Sequence, residues 1–174
     1  MMLLRHLLAI AVLPFVAAVV IPVWVARRND VQLAVGPTAP QQLAQLGGLC
    51  LLSIGLVLFV SSLRRFAGEG KGTLAPWDPP RRLVVTGPYR YVRNPMISGV
   101  LFVLFGETLI LLSRPHLTWA LTFLLINAVY IPLLEEPQLR QRFGASYDEY
   151  SDHVPRLVPR LRPWTPGGPT SRAA

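Results

Sequence analysis

Charge is scarce in this chain, and cysteine and histidine are scarcer. Only 15% of residues are charged against 52% hydrophobic, and the mean hydropathy of +0.42 excludes an ordinary soluble domain of this size. The lone cysteine, Cys50, lies inside an apolar run, so no intrachain disulfide can form. No Cys/His cluster has the spacing of a zinc site, and His6, His116 and His153 are scattered, so no metal is expected. There is no internal repeat. Acidic residues number nine against seventeen basic ones, a formal net charge of +8. In a soluble protein that balance would indicate nucleic acid. Here the basic residues fall between apolar runs, which indicates anionic lipid headgroups and membrane topology instead.

What the chain does have is long apolar runs. Its 174 residues are the length of one domain. Four runs approach the ~17–25 residues that cross a bilayer as helix: about Leu7 to Val25, Leu43 to Leu63, Met96 to Leu112 and Leu117 to Leu134. The first is longer than a signal-peptide core and has no clear cleavage site before Arg27-Arg28, so it is expected to stay as a membrane helix. Only Ser113-Arg114-Pro115-His116 separates the last two, which makes them an antiparallel hairpin, with Pro115 as the helix breaker. The expected fold is an all-α membrane protein of four transmembrane helices. It has a polar loop before the third helix and a C-terminal amphipathic helix, on which Leu139, Phe143, Tyr147 and Tyr150 share one face until Pro155 stops it. The domain should run over 1–165, with a disordered tail at 166–174.

Three polar features adjoin these runs. Glu135-Glu136 closes the fourth run; it is either a solvated helix end or a carboxylate site for a cationic or hydroxyl-bearing ligand. Arg93-Asn94-Pro95 precedes the third run. Pro95 suits the first helical turn, and Asn94 is either a plain N-cap or part of a site built on unpaired helix-start amides. Tyr89 and Tyr91 suit the aromatic belt of a membrane interface. Glu107 lies well inside the third run. An intramembrane carboxylate is either functional or a protonated or paired group that locks helices together, here with Asn127 or Thr108 nearby. About 20 Å along the helix axis separates Glu107 from Asn94, so it is expected to be structural.

The segment LVVTGPYRYVRNPMISG, the EEP after the fourth run and the later FGASYDEYSDHVPRLVPR occur in that order. Together, over about 83–159, they resemble the isoprenylcysteine carboxyl methyltransferase and phospholipid N-methyltransferase superfamily. The first two runs match only in character. The resemblance implies an integral-membrane enzyme using S-adenosylmethionine (SAM) on a lipophilic or small hydrophobic acceptor, with the bilayer as its surroundings and no nucleic-acid partner. Carried over by position, it implies cofactor contacts from Tyr89, from Asn94, Pro95, Met96 and Ile97, from Glu135 and Glu136, and from a strand-like stretch of Arg82, Leu83, Val84 and Val85. It singles out no catalytic residue. This chain departs from the family pattern at Asn94, where histidine is common, and at Ile97, where tyrosine is. At Ile131 the prenylcysteine enzymes carry an arginine that holds the substrate carboxylate, so a prenylcysteine acceptor loses its main support. Two other readings stand beside this one. One is a non-catalytic membrane protein that keeps the scaffold for small-molecule binding, export or metal tolerance. The other is a purely structural four-helix protein, which explains the runs but not the ordered polar motifs.

With four crossings, 14 of the 17 basic residues share one side, leaving only Arg27, Arg28 and Arg114 for the other. The positive-inside rule puts that side, with both chain ends and the 64–94 segment, in the cytoplasm. Reporter fusions near residue 34, at Arg114 and at the C-terminus are expected to read outside, outside and inside. A periplasmic C-terminus would overturn the orientation.

Overall fold

The computed structural model describes residues 13–69 and 83–165. Arg5, Lys71, Arg81, Arg82, Arg172, the start of the first apolar run and the 166–174 tail lie outside the described residues. Among those described, every regular element is helical. A π-helical stretch, Val16–Val20, leads into α1 (Ile21–Arg28). The long α2 (Ala39–Glu69) follows, then a 3-10 turn at Gly87–Arg90 and α3 (Pro95–Leu111). α4 (Arg114–Tyr130) passes through a second π-helical stretch, Ile131–Glu135, into α5 (Glu136–Phe143), and α6 (Ala145–His153) ends the helical part.

Among the described residues, two helical stretches are long and apolar enough to cross a membrane: Ala39–Phe66, of mean hydropathy 2.3, and Arg114–Phe143, of mean hydropathy 1.9. Their apolar side chains are largely exposed, Val57, Leu125 and Leu133 among them. The core helix of a soluble protein would bury such residues. Pro95–Leu111 is apolar but shorter.

The hairpin and the C-terminal helix both differ from the sequence expectation. The chain turns at Leu112, in left-handed geometry, and Ser113 caps α4 by accepting from the His116 amide. Pro115 therefore sits inside the first turn of α4, where its missing N–H costs nothing, and breaks no helix. The C-terminal amphipathic helix is two helices. Gly144, at φ 53° and ψ −134°, takes a conformation closed to other residues and divides α5 from α6. The expected face survives the break: Leu139, Phe143, Tyr147 and Tyr150 still meet, now joined by Val154 and Trp164.

Proline shapes two of the helices from within. Pro132 has no amide to offer the Ala128 carbonyl, and the helix loosens into the π register there. At the first π stretch the Ile21 amide bonds Val16, and the Ala17 carbonyl would need the amide that Pro22 lacks. The Trp119 indole supplies that bond at 2.9 Å and so ties α4 to the N-terminal helix.

Glu107 does not meet the expected partners. Thr108 bonds the Leu104 carbonyl, Asn127 bonds the Phe123 carbonyl, and Glu107 Oε2 is buried without a partner among the described residues.

The closest helix pair is α2 against α3. Glycines two turns apart on each helix meet in antiparallel order. A Cβ on Gly106 would stand 2.8 Å from the Gly48 carbonyl, and one on Gly99 would stand 2.9 Å from the Gly55 carbonyl. Backbone touches backbone, as membrane helices without a hydrophobic drive between them require. Gly106→Ala and Gly99→Ala must push the helices apart and are each expected to cost about 1–3 kcal/mol. Gly47→Ala, where an added Cβ meets nothing within 4 Å, should be neutral or stabilise by up to about 1 kcal/mol. Thermal unfolding in detergent separates the two classes.

Candidate functional site

The polar segment before α3 and the chain after α6 form one cap. The Arg93 amide donates to Pro155, the Asn94 amide to Arg156, the Arg160 amide to Tyr91 and the Trp164 amide to Arg90. The buried Tyr150 hydroxyl donates to the Tyr89 carbonyl at 2.7 Å, and Arg90 Nε donates to the Trp164 carbonyl. The segment runs as an irregular strap because its backbone groups are satisfied by a second irregular strap beside it. Trp164 stacks on His153 and packs against Tyr150, which closes the cap from outside.

Glu136 is the electrostatic centre of this region. Its side chain is 8% exposed, and Arg156 grips it with two bonds, Nε to Oε1 at 2.6 Å and Nη2 to Oε2 at 2.9 Å. Arg93, itself only 10% exposed, reaches Oε1 at 3.3 Å and the Tyr147 hydroxyl at 3.5 Å. A bidentate charge-assisted pair of this kind is among the strongest side-chain contacts. The carboxylate in turn raises Arg156 above its ordinary range, chiefly through the hydrogen bonds between them.

Glu135 stands in contrast. It is half-buried and has no hydrogen-bond or ion-pair partner among the described residues. Tyr89 lies close enough to feel it: burial first, then the Glu135 charge, hold the Tyr89 hydroxyl above its usual range. One turn thus holds two adjacent carboxylates of different character, one consumed by arginines and one free to accept. A second unmet group lies beside them, since the Arg93 Nε–H is buried with no acceptor among the described residues.

The other expected site residues are placed as follows. Arg82 lies outside the described residues. Leu83, Val84 and Val85 take no regular element, so the strand-like expectation fails. Their side chains alternate all the same: Leu83 and Val85 pack on the Tyr147–Tyr150 cluster while Val84 meets Phe66 and Tyr89. Tyr89 is buried and is no belt residue, whereas Tyr91 is partly exposed. Asn94 holds the cap position of α3, but its side chain makes no capping bond; its carbonyl accepts from the Ser98 amide. Pro95 and Met96 are buried, and Ile97 is half-buried. The α3 start thus keeps amides that its own cap residue leaves unpaired. Arg156 joins the two groups, since its carbonyl holds the Asn94 amide and its guanidinium holds Glu136.

Sequence reasoning passed over Arg93, Arg156, Tyr147 and Tyr150 as site elements. Arg156 read as one more basic tail residue; its only signal was its place in the ordered FGASYDEYSDHVPRLVPR motif. Ile131, at the position of the prenylcysteine arginine, is fully buried, so no polar group is offered there.

The sequence model of the phospholipid methyltransferase family matches residues 43–146, which covers the glycine contacts, the polar segment before α3 and both glutamates. The chain belongs to this family. Over 76 residues it is also 37% identical to methanethiol S-methyltransferase 2 of Bradyrhizobium diazoefficiens, a match covering 42% of this chain and 27% of that relative's length. No solved structure matches.

Removing the Glu136 charge tests the division between the two carboxylates. Breaking a fully buried pair costs roughly 3–5 kcal/mol. Arg156 is 38% exposed, so Glu136→Gln is expected to destabilise by less, about 2–3 kcal/mol. Glu135→Gln should change stability by under about 0.5 kcal/mol. Thermal unfolding of the two variants in detergent reads the difference.

Proposed function

We propose that the protein transfers a methyl group from SAM to a lipophilic or small hydrophobic acceptor at the cytoplasmic face of the membrane. The observation that carries this reading is the free carboxylate of Glu135, set against buried Tyr89 while its neighbour Glu136 is fully engaged. Bound SAM supplies an activated methyl on a sulfonium. The residues present fit such a ligand. Glu135 can accept from ribose hydroxyls or balance a cation. The buried Arg93 Nε–H and the uncapped amides at the α3 start offer donors to a carboxylate. Leu83, Val85, Met96 and Ile97 offer apolar surface for an adenine face. Glu136 belongs to the site as the group that fixes Arg93 and Arg156.

Transfer of that methyl to an acceptor's lone pair would break the carbon–sulfur bond and release S-adenosylhomocysteine, and a thiol or hydroxyl acceptor would also lose a proton to bulk water. The chain's task is alignment and exclusion of water from the reacting pair. A water-soluble donor and a bilayer-soluble acceptor meet only at the membrane boundary, where both glutamates close the apolar helix. The buried Ile131 argues against an acceptor that needs its carboxylate held there. The likeness to a methanethiol S-methyltransferase adds a small thiol to the acceptors to be tried beside phospholipid amines.

Loss of one charge-assisted hydrogen bond costs about 1.5–3 kcal/mol, or about 10- to 150-fold in affinity. Glu135→Gln is expected to weaken SAM binding by that factor in calorimetry on nanodisc-embedded protein, with the fold intact. Unchanged SAM affinity with methyl transfer abolished would instead make Glu135 a base acting on the acceptor. No SAM binding by the wild-type protein would overturn the reading.

A further inference from the structure

A second feature includes neither Glu135 nor Tyr89. An apolar groove of about 520 Å³, within the usual range of small-molecule clefts, runs along α2. Ile54, Val57 and Phe102 form its walls, and Pro88 and Tyr91 of the cap close one end. A second groove, lined by Val60, Arg64 and Arg65, continues from it and shares Val57 and Ser61. The two therefore make one channel that is greasy along the membrane helix and basic at the helix end.

The two arginines at that end differ. Arg65 is engaged: it pairs with Glu69 at 2.9 Å, and Glu69 is held from its other oxygen by the Thr86 hydroxyl. Arg64 is exposed and has no hydrogen-bond or ion-pair partner among the described residues. Charge has thus been left uncompensated at the one point where the apolar channel leaves the membrane span Ala39–Phe66. Tyr91, which lines the first groove, is 36% exposed, as an interfacial tyrosine is. An apolar tail below and an unmatched cation above are the complement of one kind of molecule: a lipid with a hydrocarbon chain and a negative phosphate.

We propose that this channel holds one anionic glycerophospholipid of the surrounding bilayer. Its acyl chain lies along Ile54, Val57 and Phe102, and its phosphate meets Arg64. The channel has no lining residue in common with the candidate cofactor contacts, and it adjoins them where Pro88 precedes Tyr89. Its occupant bridges α2 to the cap through Pro88 and Tyr91.

The test is lipid retention, which does not depend on methyl transfer. The full chain is placed in nanodiscs of equal phosphatidylglycerol and phosphatidylcholine, and the lipids that stay bound are counted by native mass spectrometry. The wild-type protein is expected to retain phosphatidylglycerol over phosphatidylcholine by about fivefold, the preference worth one surface arginine. Arg64→Gln should bring the ratio to about one, while Arg114→Gln, at the other end of the molecule, should leave it unchanged. Val57→Trp fills the channel and should lower retention of both lipids. Val57 is exposed, and a melting curve verifies the fold; Arg64→Gln decides the matter alone if that variant misfolds. The proposal is overturned by an absent preference in the wild-type protein, by a preference that survives Arg64→Gln, or by undiminished retention in folded Val57→Trp.

Discussion

A carboxylate buried at the end of an apolar helix must be paired, because the desolvation of an isolated charge costs several kcal/mol. Glu136 meets that constraint by drawing Arg93 from the segment before α3 and Arg156 from the segment after α6. Neither arginine can reach it unless both irregular straps lie across the helix end. The backbone bonds between the straps, the Tyr150 bond to Tyr89 and the burial of Trp164 all follow from that closure. The ion pairs hold the straps to the membrane helix, and the aromatic cluster keeps water off them.

The same constraint sorts the two glutamates. Adjacent residues on a helix point about 100° apart, so one pair of arginines cannot serve both side chains. Pro132 and Pro137 flank the pair, and the π register between Ile131 and Glu135 moves the phase of the helix just before Glu136. The chain thereby turns Glu136 to the arginines and leaves Glu135 beside Tyr89. A carboxylate with its acceptor capacity unspent is costly to keep half-buried. Natural sequences keep such groups where a ligand satisfies them.

Much of this was legible in the sequence. Apolar runs mark helices because periodicity and length are local properties, and Ala39–Glu69 and Pro95–Leu111 follow them within a few residues. The Glu135-Glu136 pair and the Asn94-Pro95 start were visible because a polar residue beside an apolar run carries a cost that needs a reason. The misses share a different cause. Pro115 reads as a breaker or as a first-turn residue depending on where the left-handed residue falls, and Leu112 gives no sign of taking that role. Gly144 reads as a weak point in one helix until its φ is known. Arg93 and Arg156 stand 63 positions apart, and their convergence on Glu136 is a tertiary fact that no spacing rule contains. The glycine contacts are of the same kind. Gly48, Gly55, Gly99 and Gly106 are ordinary small residues until two helices approach closely enough for each to face a carbonyl.

That close approach also bears on the cap. With Gly106 against Gly48 and Gly99 against Gly55, α2 and α3 have no side-chain cushion that could let them slide. Gly99 lies one turn beyond the α3 start, so the end of α3 that carries Asn94 is fixed against α2 by backbone contact. The 3-10 turn meets α2 on the same side: the left-handed Gly87 lies over Arg65, whose Nε would stand 3.2 Å from a Cβ at that position. Tyr89 is then set by two rigid references, the α2 end through Phe66 and the α6 end through Tyr150. Glu135 arrives from a third, the continuous helix through α4. Three elements thus converge on a patch of polar groups, and their mutual distances are set by the packing of buried side chains. A methyl transfer that depends on in-line alignment requires positional constancy of this kind from a scaffold.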